Sequence, residues 1–555
     1  MEHADFVLHG GVVYTVDAAR STAQAVAVRN GEIVLVGTDA EVRELVGWST
    51  TEIPLEGRML LPGFQDAHVH ASTGGLERIR CDLSGVHELD AYLGLVRRYA
   101  ETHPDATWIL GGGWAMDVFP KGIPTREMLD EVVHDRPVFL SNRDHHGAWV
   151  NSRALELAGV SAQTEDPPDG RIERDEHGAP AGTLQEGAMR LVERIVPKPT
   201  LDEQRRAILE AERHLFSLGI TGWQEAILGD YPVIPDCYDG YRSLSNAGEL
   251  TARVVGALWF ERGRGEEQIE GLRDRRERAG NGRFRASTVK IMQDGVAENF
   301  TASMLVPYLD GLGHRTENTG LSYFPSDVLN RSITRLDVEG FQVHVHAIGD
   351  RAIREALDAI EVARRTNGPS DNRHHIAHLQ IVHPADVPRF AELDVVANAQ
   401  ALWACNDPQM VDLTVAFLEP ERLGWMYPFG SLVRTGAKLA FGSDWPVSSP
   451  DPLAQIHVAV NRTMPPGYLY GEPGADEQPL LPEERIDLPT ALTAFTMGSA
   501  YVNHLDELTG SIEVGKRADL VVVSKDLFES PVEAIGDARV DFTFVDGRLV
   551  HERAD

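Results

Sequence analysis

Two histidines two positions apart, His68 and His70, close the apolar run LLPGFQDAHVH. Side chains alternate across an extended strand, so both imidazoles face one side and can share one metal ion. A lone His-x-His also occurs as an ordinary pair of satisfied histidines, so this one has to be weighed with its company. A second apolar run, VHVHAIGD, carries His344 and His346 on the face opposite Val343 and Val345. His346 lies nearer the end of the strand and is the better ligand candidate; His344 is expected a layer deeper, as packing or as support for a ligand. In RHHIAHLQ the same end-of-strand argument selects His378 over His374 and His375. The run KLAFGSDWP closes on Asp444, where Gly442 and Ser443 leave little bulk around the carboxylate.

Lys290 sits among Val289, Ile291 and Met292 in STVKIMQDG. An ammonium in such surroundings is costly unless it is paired or chemically changed. Pairing with a carboxylate such as Asp294 is one solution. The other is carbamylation by CO2, which would make the side chain an anionic oxygen ligand able to bridge two metal ions. Arg cannot react in this way, and only six of the 52 basic residues are Lys.

These residues need strands that converge. Eight apolar runs qualify: Met59–Asp66, Ile220–Glu225, Arg253–Leu258, Thr288–Gln293, Gln342–His346, His375–Leu379, Val395–Asn398 and Lys438–Ser443. Several precede amphipathic helical stretches, such as RAIREALDAIEVARR after Asp350, a residue able to cap that helix. The pattern predicts an α/β chain folded as a (β/α)8 TIM barrel over 59–504, with its site at the C-terminal ends of the strands. The gap at 75–217 is too long for a βα loop, and predicts an inserted subdomain, after the first barrel strand, that covers the site. Residues 1–58 and 505–555 are rich in short β runs with hairpin signals at Asn30-Gly31 and Asp546-Gly547. They are expected to combine as a small β-sandwich domain, since domain ends commonly lie close together. Residues 465–482, rich in Pro, Gly and Glu, read as a surface loop or lid.

The chain has 555 residues, with 52 Lys+Arg against 85 Asp+Glu and a formal charge of −33. Such acidity repels polyanions, so neither nucleic acid nor an anionic membrane is expected as a partner. Cys81, Cys237 and Cys405 show no CxxC spacing and suggest neither a disulfide framework nor a zinc knuckle. The opening MEHADFVLHGG lacks a basic n-region, and no stretch approaches the ~18 apolar residues of a membrane span. A cytoplasmic location is expected.

In order along the chain, PGFQDAHVH, VKIMQDG, HAIGDRA, His378, GSDWPVSSPDPL and GSIEVGKRADLVVV resemble the amidohydrolase superfamily. More narrowly they resemble amidohydrolase family 3, the branch that includes N-substituted formamide deformylases. The similarity extends into the insertion at RDHHGAWVNSRAL, and departs from the family at Ala377, where relatives often carry Glu. The resemblance implies a β/α barrel holding one or two divalent metal ions, zinc by expectation, with His68, His70, Lys290, His346, His378 and Asp444 as ligands. It implies hydrolysis of a C–N amide bond in an N-substituted formamide or other small N-acyl compound. A divalent cation would acidify a water towards a pKa near ~7. Asp444 would take its proton, and Asp444 or a neighbouring histidine, His346 or His378, would return one to the leaving amine. Asp444 as a ligand without a proton role remains open. His146, Trp149, Trp114 and Trp445 are the candidates for contacting the substrate, a small amide, and the expected assembly is a homodimer. A deaminase, a cyclic amide or ester hydrolase, or a regulator that binds metal and ligand without turnover are the alternatives.

Overall fold

The computed structural model describes residues 2–231, 234–280, 282–468 and 478–554. Residues 469–477 of the expected lid lie outside the described residues. Eight parallel strands form one sheet in chain order: β1 (Phe64–Val69), β2 (Ile220–Leu228), β3 (Arg253–Trp259), β4 (Phe284–Met292), β5 (Gln342–Ala347), β6 (His375–His378), β7 (Val396–Ala399) and β8 (Leu439–Phe441). Helices between them cover the outside, as parallel strands buried on both faces require. The helix Asp350–Asn367, for instance, buries Ile353, Leu357 and Ile360 in the main core. This is the α/β barrel that the eight apolar runs predict.

The first run is divided differently from expectation. Met59–Pro62 pairs with Leu520–Val523 and Val12–Tyr14 in a second sheet, and the barrel strand begins only at Phe64. Gly63 is the break between them, because a Cβ there would lie 2.5 Å from Thr221 Cγ2. That second sheet has six strands and faces a four-stranded sheet made wholly from the first 54 residues. Phe6, Leu8, Val26 and Val28 of one sheet pack on Leu60, Leu520, Val522 and Phe544 of the other, so both termini contribute to one sandwich. Arg253, at the base of β3, pairs with Asp519 and Asp546 and joins the sandwich to the barrel.

Between β1 and β2 the chain forms a separate six-stranded sheet, from Cys81–Asp82 to Pro180–Glu186, with its own apolar core. The last helix of the expected insertion, Leu201–Ser217, is instead part of the barrel's outer layer. It buries Ala207, Ile208, Ala211 and Leu215 in the main core and crosses Ala71–Ile79 so closely that a Cβ on Gly75 would lie 1.9 Å from the Ala207 carbonyl. Among the described residues no helix is long and apolar enough to cross a membrane.

Candidate metal centre

The barrel closes where β1 meets β8, and the backbone is pinned at that seam. Asp444 N–H donates to the His68 carbonyl and His70 N–H to the Trp445 carbonyl, each at 2.8 Å. Beneath them the buried Asp66 carboxyl accepts from the N–H of His68 at 2.9 Å and of Ser443 at 3.1 Å. Gly442 permits this approach, since a Cβ there would lie 2.5 Å from His68 N. Glu225, on β2, accepts from Ser72 N–H and steadies the helix that begins directly after His70. Asp444 and His378 both hold left-handed backbone, with φ of 56° and 80°. Such conformations cost on the order of 1–3 kcal/mol and persist where the surroundings over-determine them.

At the seam, His68 Nε2 and His70 Nε2 lie 3.1 and 3.2 Å from the same Asp444 oxygen, Oδ1. His378 Nδ1 lies 3.8 Å from Oδ2, and the His346 and His378 rings are 4.3 Å apart. The structure brings His68, His70, Lys290, His346, His378 and Asp444 to the wall of one cavity of about 40 Å³. His68, His70 and Asp444 form the tight group, with ligand atoms within 4.8 Å of one another; no other such group occurs among the described residues. His68 Nε2, His70 Nδ1, both ring nitrogens of His378 and Asp444 Oδ1 are buried without a hydrogen-bond partner. Buried polar atoms are normally satisfied. A concentration of bare imidazole nitrogens around a carboxylate oxygen is the donor set that suits a divalent transition-metal ion.

Electrostatics agree with that fit. Burial, reinforced by the Lys290 charge, pushes His68 down to about 3, and burial likewise holds His346 and His378 well below the usual imidazole range. Neutral rings keep a lone pair for a metal. Burial opposes ionisation of Asp444, yet His68, His70 and His378 outweigh it and hold the carboxyl well below its usual range. Burial pushes Lys290 down to about 7 against the pull of Asp444. Its Nζ lies 3.3 Å from His344 Nε2. The alternative pairing with Asp294 is not formed: Asp294 accepts from the N–H groups of Ser303, Ile348 and Gly349 at 2.9–3.0 Å instead.

The inserted subdomain reaches the cavity through one turn, from which Asp144, His145 and His146 line it. His146 Nδ1 is 2.9 Å from the buried Glu186 carboxylate. Burial alone would lower this imidazole, but Glu186 overrides it and lifts it to about 9. Glu186 was not singled out by sequence, because an acid in TLQEGAMR has no spacing that ties it to His146. Trp403, stacked on His378 with planes 3° apart, and Tyr231, Ile227, Ile234 and Met292 complete an aromatic and apolar wall.

Three expected substrate contacts are corrected. Trp114 and Trp149 are fully buried in the core of the inserted subdomain with Phe119, and their indole N–H groups donate to the carbonyls of Leu140 and Thr125. Trp445 packs against Gly74 and His214, not on the cavity. Each has a packing role that the cluster of aromatics in sequence could not distinguish from a pocket. Trp149→Ala is therefore expected to destabilise the protein by about 3–5 kcal/mol while leaving the ranking of substrates by kcat/KM unchanged. Thermal melts alongside a series of N-substituents check both halves; an altered ranking would return Trp149 to the pocket.

A family model described as the amidohydrolase family matches residues 51–551. The chain is 32% identical to Protein LONG AFTER FAR-RED 3 of Arabidopsis thaliana, over 99% of this chain and 92% of that protein. It is 27% identical to an N-substituted formamide deformylase of Arthrobacter pascens, over 99% and 98%. Among solved structures it is similar to an uncharacterised metal-dependent hydrolase from Pyrococcus furiosus, at 27% identity and a TM-score of 0.70, covering 94% of this chain and 99% of that one.

Proposed function

The chain belongs to the amidohydrolase family, and from that premise we propose that it is a metal-dependent hydrolase cleaving the C–N bond of an N-substituted formamide or another small N-acyl compound. The observation that carries this reading is the set of bare imidazole nitrogens and the Asp444 oxygen at the floor of one small cavity. A divalent cation held by His68, His70, His346, His378, Asp444 and a carbamylated Lys290 would supply Lewis acidity to the carbonyl and acidify a water. Zinc suits imidazole and carboxylate ligands.

The protein's own groups account for the remaining chemistry. Asp444, kept as a carboxylate, accepts the proton of the attacking water and returns it to the departing nitrogen. His146, paired with Glu186, donates an N–H towards the carbonyl oxygen as negative charge develops there. A cavity of about 40 Å³ admits a formyl or similarly small acyl group, and Trp403 and Tyr231 offer the N-substituent an apolar wall. A larger cavity of about 850 Å³, which Tyr231 also lines, lies between insertion and barrel and shares none of the candidate ligands.

Metal analysis of the purified protein, followed by assay against N-substituted formamides, N-acyl amino acids, carbamates and a cyclic amide, tests the reading. Hydrolysis of formamides, lost on chelation and restored by zinc, is the expected result. Deamination or cyclic-amide opening in its place would reassign the reaction, and metal-independent turnover would remove the proposed mechanism.

A further inference from the structure

A chain of buried polar side chains runs beneath the cluster, and its direction can be read from the far end. Gln342 Nε2 donates to the carbonyls of Arg373 at 2.9 Å and Val502 at 2.8 Å. A backbone carbonyl only accepts, so the orientation of this amide is determined. Its Oε1 then accepts from Thr288 Oγ1 at 2.7 Å and from Gln224 Nε2 at 3.0 Å. Gln224 therefore turns its oxygen to two rings, with His344 Nδ1 at 2.8 Å and His375 Nε2 at 3.1 Å. Both nitrogens must carry hydrogen. An independent anchor agrees: Asn398 Nδ2 donates to the Ala67 carbonyl at 2.9 Å and faces His375 Nδ1 at 3.1 Å, which leaves the His375 hydrogen on Nε2.

With its hydrogen on Nδ1, His344 presents a lone pair at Nε2, where His68 Nδ1 lies at 2.8 Å and Lys290 Nζ at 3.3 Å. A neutral imidazole that carries its hydrogen on Nδ1 has none on Nε2, so this atom accepts from both neighbours. His68 must then donate from Nδ1, which leaves its Nε2 bare, and this is the atom that faces Asp444 Oδ1. The opposite tautomer of His344 would force hydrogen onto His68 Nε2 and remove the lone pair from the cluster.

We propose that Gln342, Gln224 and His344 form a one-way hydrogen-bond relay that holds His68 as the Nδ1–H tautomer and so presents its Nε2 lone pair to a divalent cation. The proposal rests on the reading of this cluster as a metal site. The three are positioning residues: none lines the cavity, and His344 aligns the Lys290 amine with the same acceptor atom. Supporting residues of this kind typically carry 10–100-fold in metal affinity.

The test uses the full-length wild-type protein labelled with 15N-histidine, in which long-range 1H–15N correlations distinguish the two tautomers, with His344→Asn and His68→Asn spectra for assignment. Both rings are expected as Nδ1–H with and without zinc; Nε2–H on either would overturn the relay. In parallel, zinc affinity is measured by chelator competition. Gln224→Leu should weaken binding by about 10–100-fold. Equal affinity in Gln224→Leu and wild type would also overturn the proposal. Neither readout involves a substrate, so failure of amide hydrolysis with both tautomers as expected would refute the proposed reaction alone.

Discussion

Asp444→Asn is expected to leave the fold and most of the bound metal in place while lowering kcat by about two to four orders of magnitude, the usual worth of a positioned acid–base group. The substitution is nearly isosteric, and Asn tolerates the left-handed backbone that this position adopts. The backbone bond from residue 444 to the His68 carbonyl is unaffected by the side chain. What disappears is the ability to take a proton. Because the surrounding histidines hold the Asp444 carboxyl well below its usual range, its basic form persists through neutral and mildly acid pH. Steady-state kcat measured beside metal content distinguishes the roles: a kcat within a few-fold of wild type would leave Asp444 as a ligand without a proton role.

Lys290→Ala is expected to lose metal and activity together, by more than the roughly 10–100-fold that removal of a supporting residue costs in affinity. The amine is buried, forms no ion pair with Asp294 and is pushed down to about 7 by its surroundings. That shift favours the neutral amine, the form that reacts with CO2. The fold should survive, because the polar contact of Nζ is with a side chain, His344 at 3.3 Å, and not with the backbone. Short carboxylic acids should enter the space left by the side chain and partly restore both metal content and turnover. Mass spectrometry of the native protein should show the added CO2 on the peptide containing Lys290 when acid is avoided. Full activity with unchanged metal content in the variant would exclude carbamylation as a requirement.

The residues of the centre were legible because their signals are local. A histidine or aspartate at the end of an apolar run states both its direction and its depth, and five such positions, with Lys290, converge from five strands once those strands form a barrel. His344 was assigned to a deeper layer by the same parity, and it does lie beneath the cavity wall, bonded to His68. The division of the first run was not legible: Met59–Pro62 and Phe64–Val69 follow one another across the single residue Gly63, and only the partner strands decide that one joins the sandwich and the other the barrel. The aromatic residues of the insertion failed for a related reason. A tryptophan is as suited to a core as to a pocket, and Trp114 and Trp149 were claimed by the core of their own sheet.

Sequence by itself determined the fold class, the candidate ligands and the strands that carry them, since strand periodicity of two and the cost of burying a charge act over a few residues. Tertiary structure alone decided which distant groups meet. Glu186 beside His146, Trp403 against His378, and Gln224 between His344 and Gln342 are pairs separated by at least 25 positions. The direction of hydrogen bonding, and with it the tautomer of His68, depends on backbone carbonyls at Arg373 and Val502 that no local pattern links to the site. A hydrogen bond is specified by two atoms in space, and their separation along the chain says nothing of it until the barrel has closed.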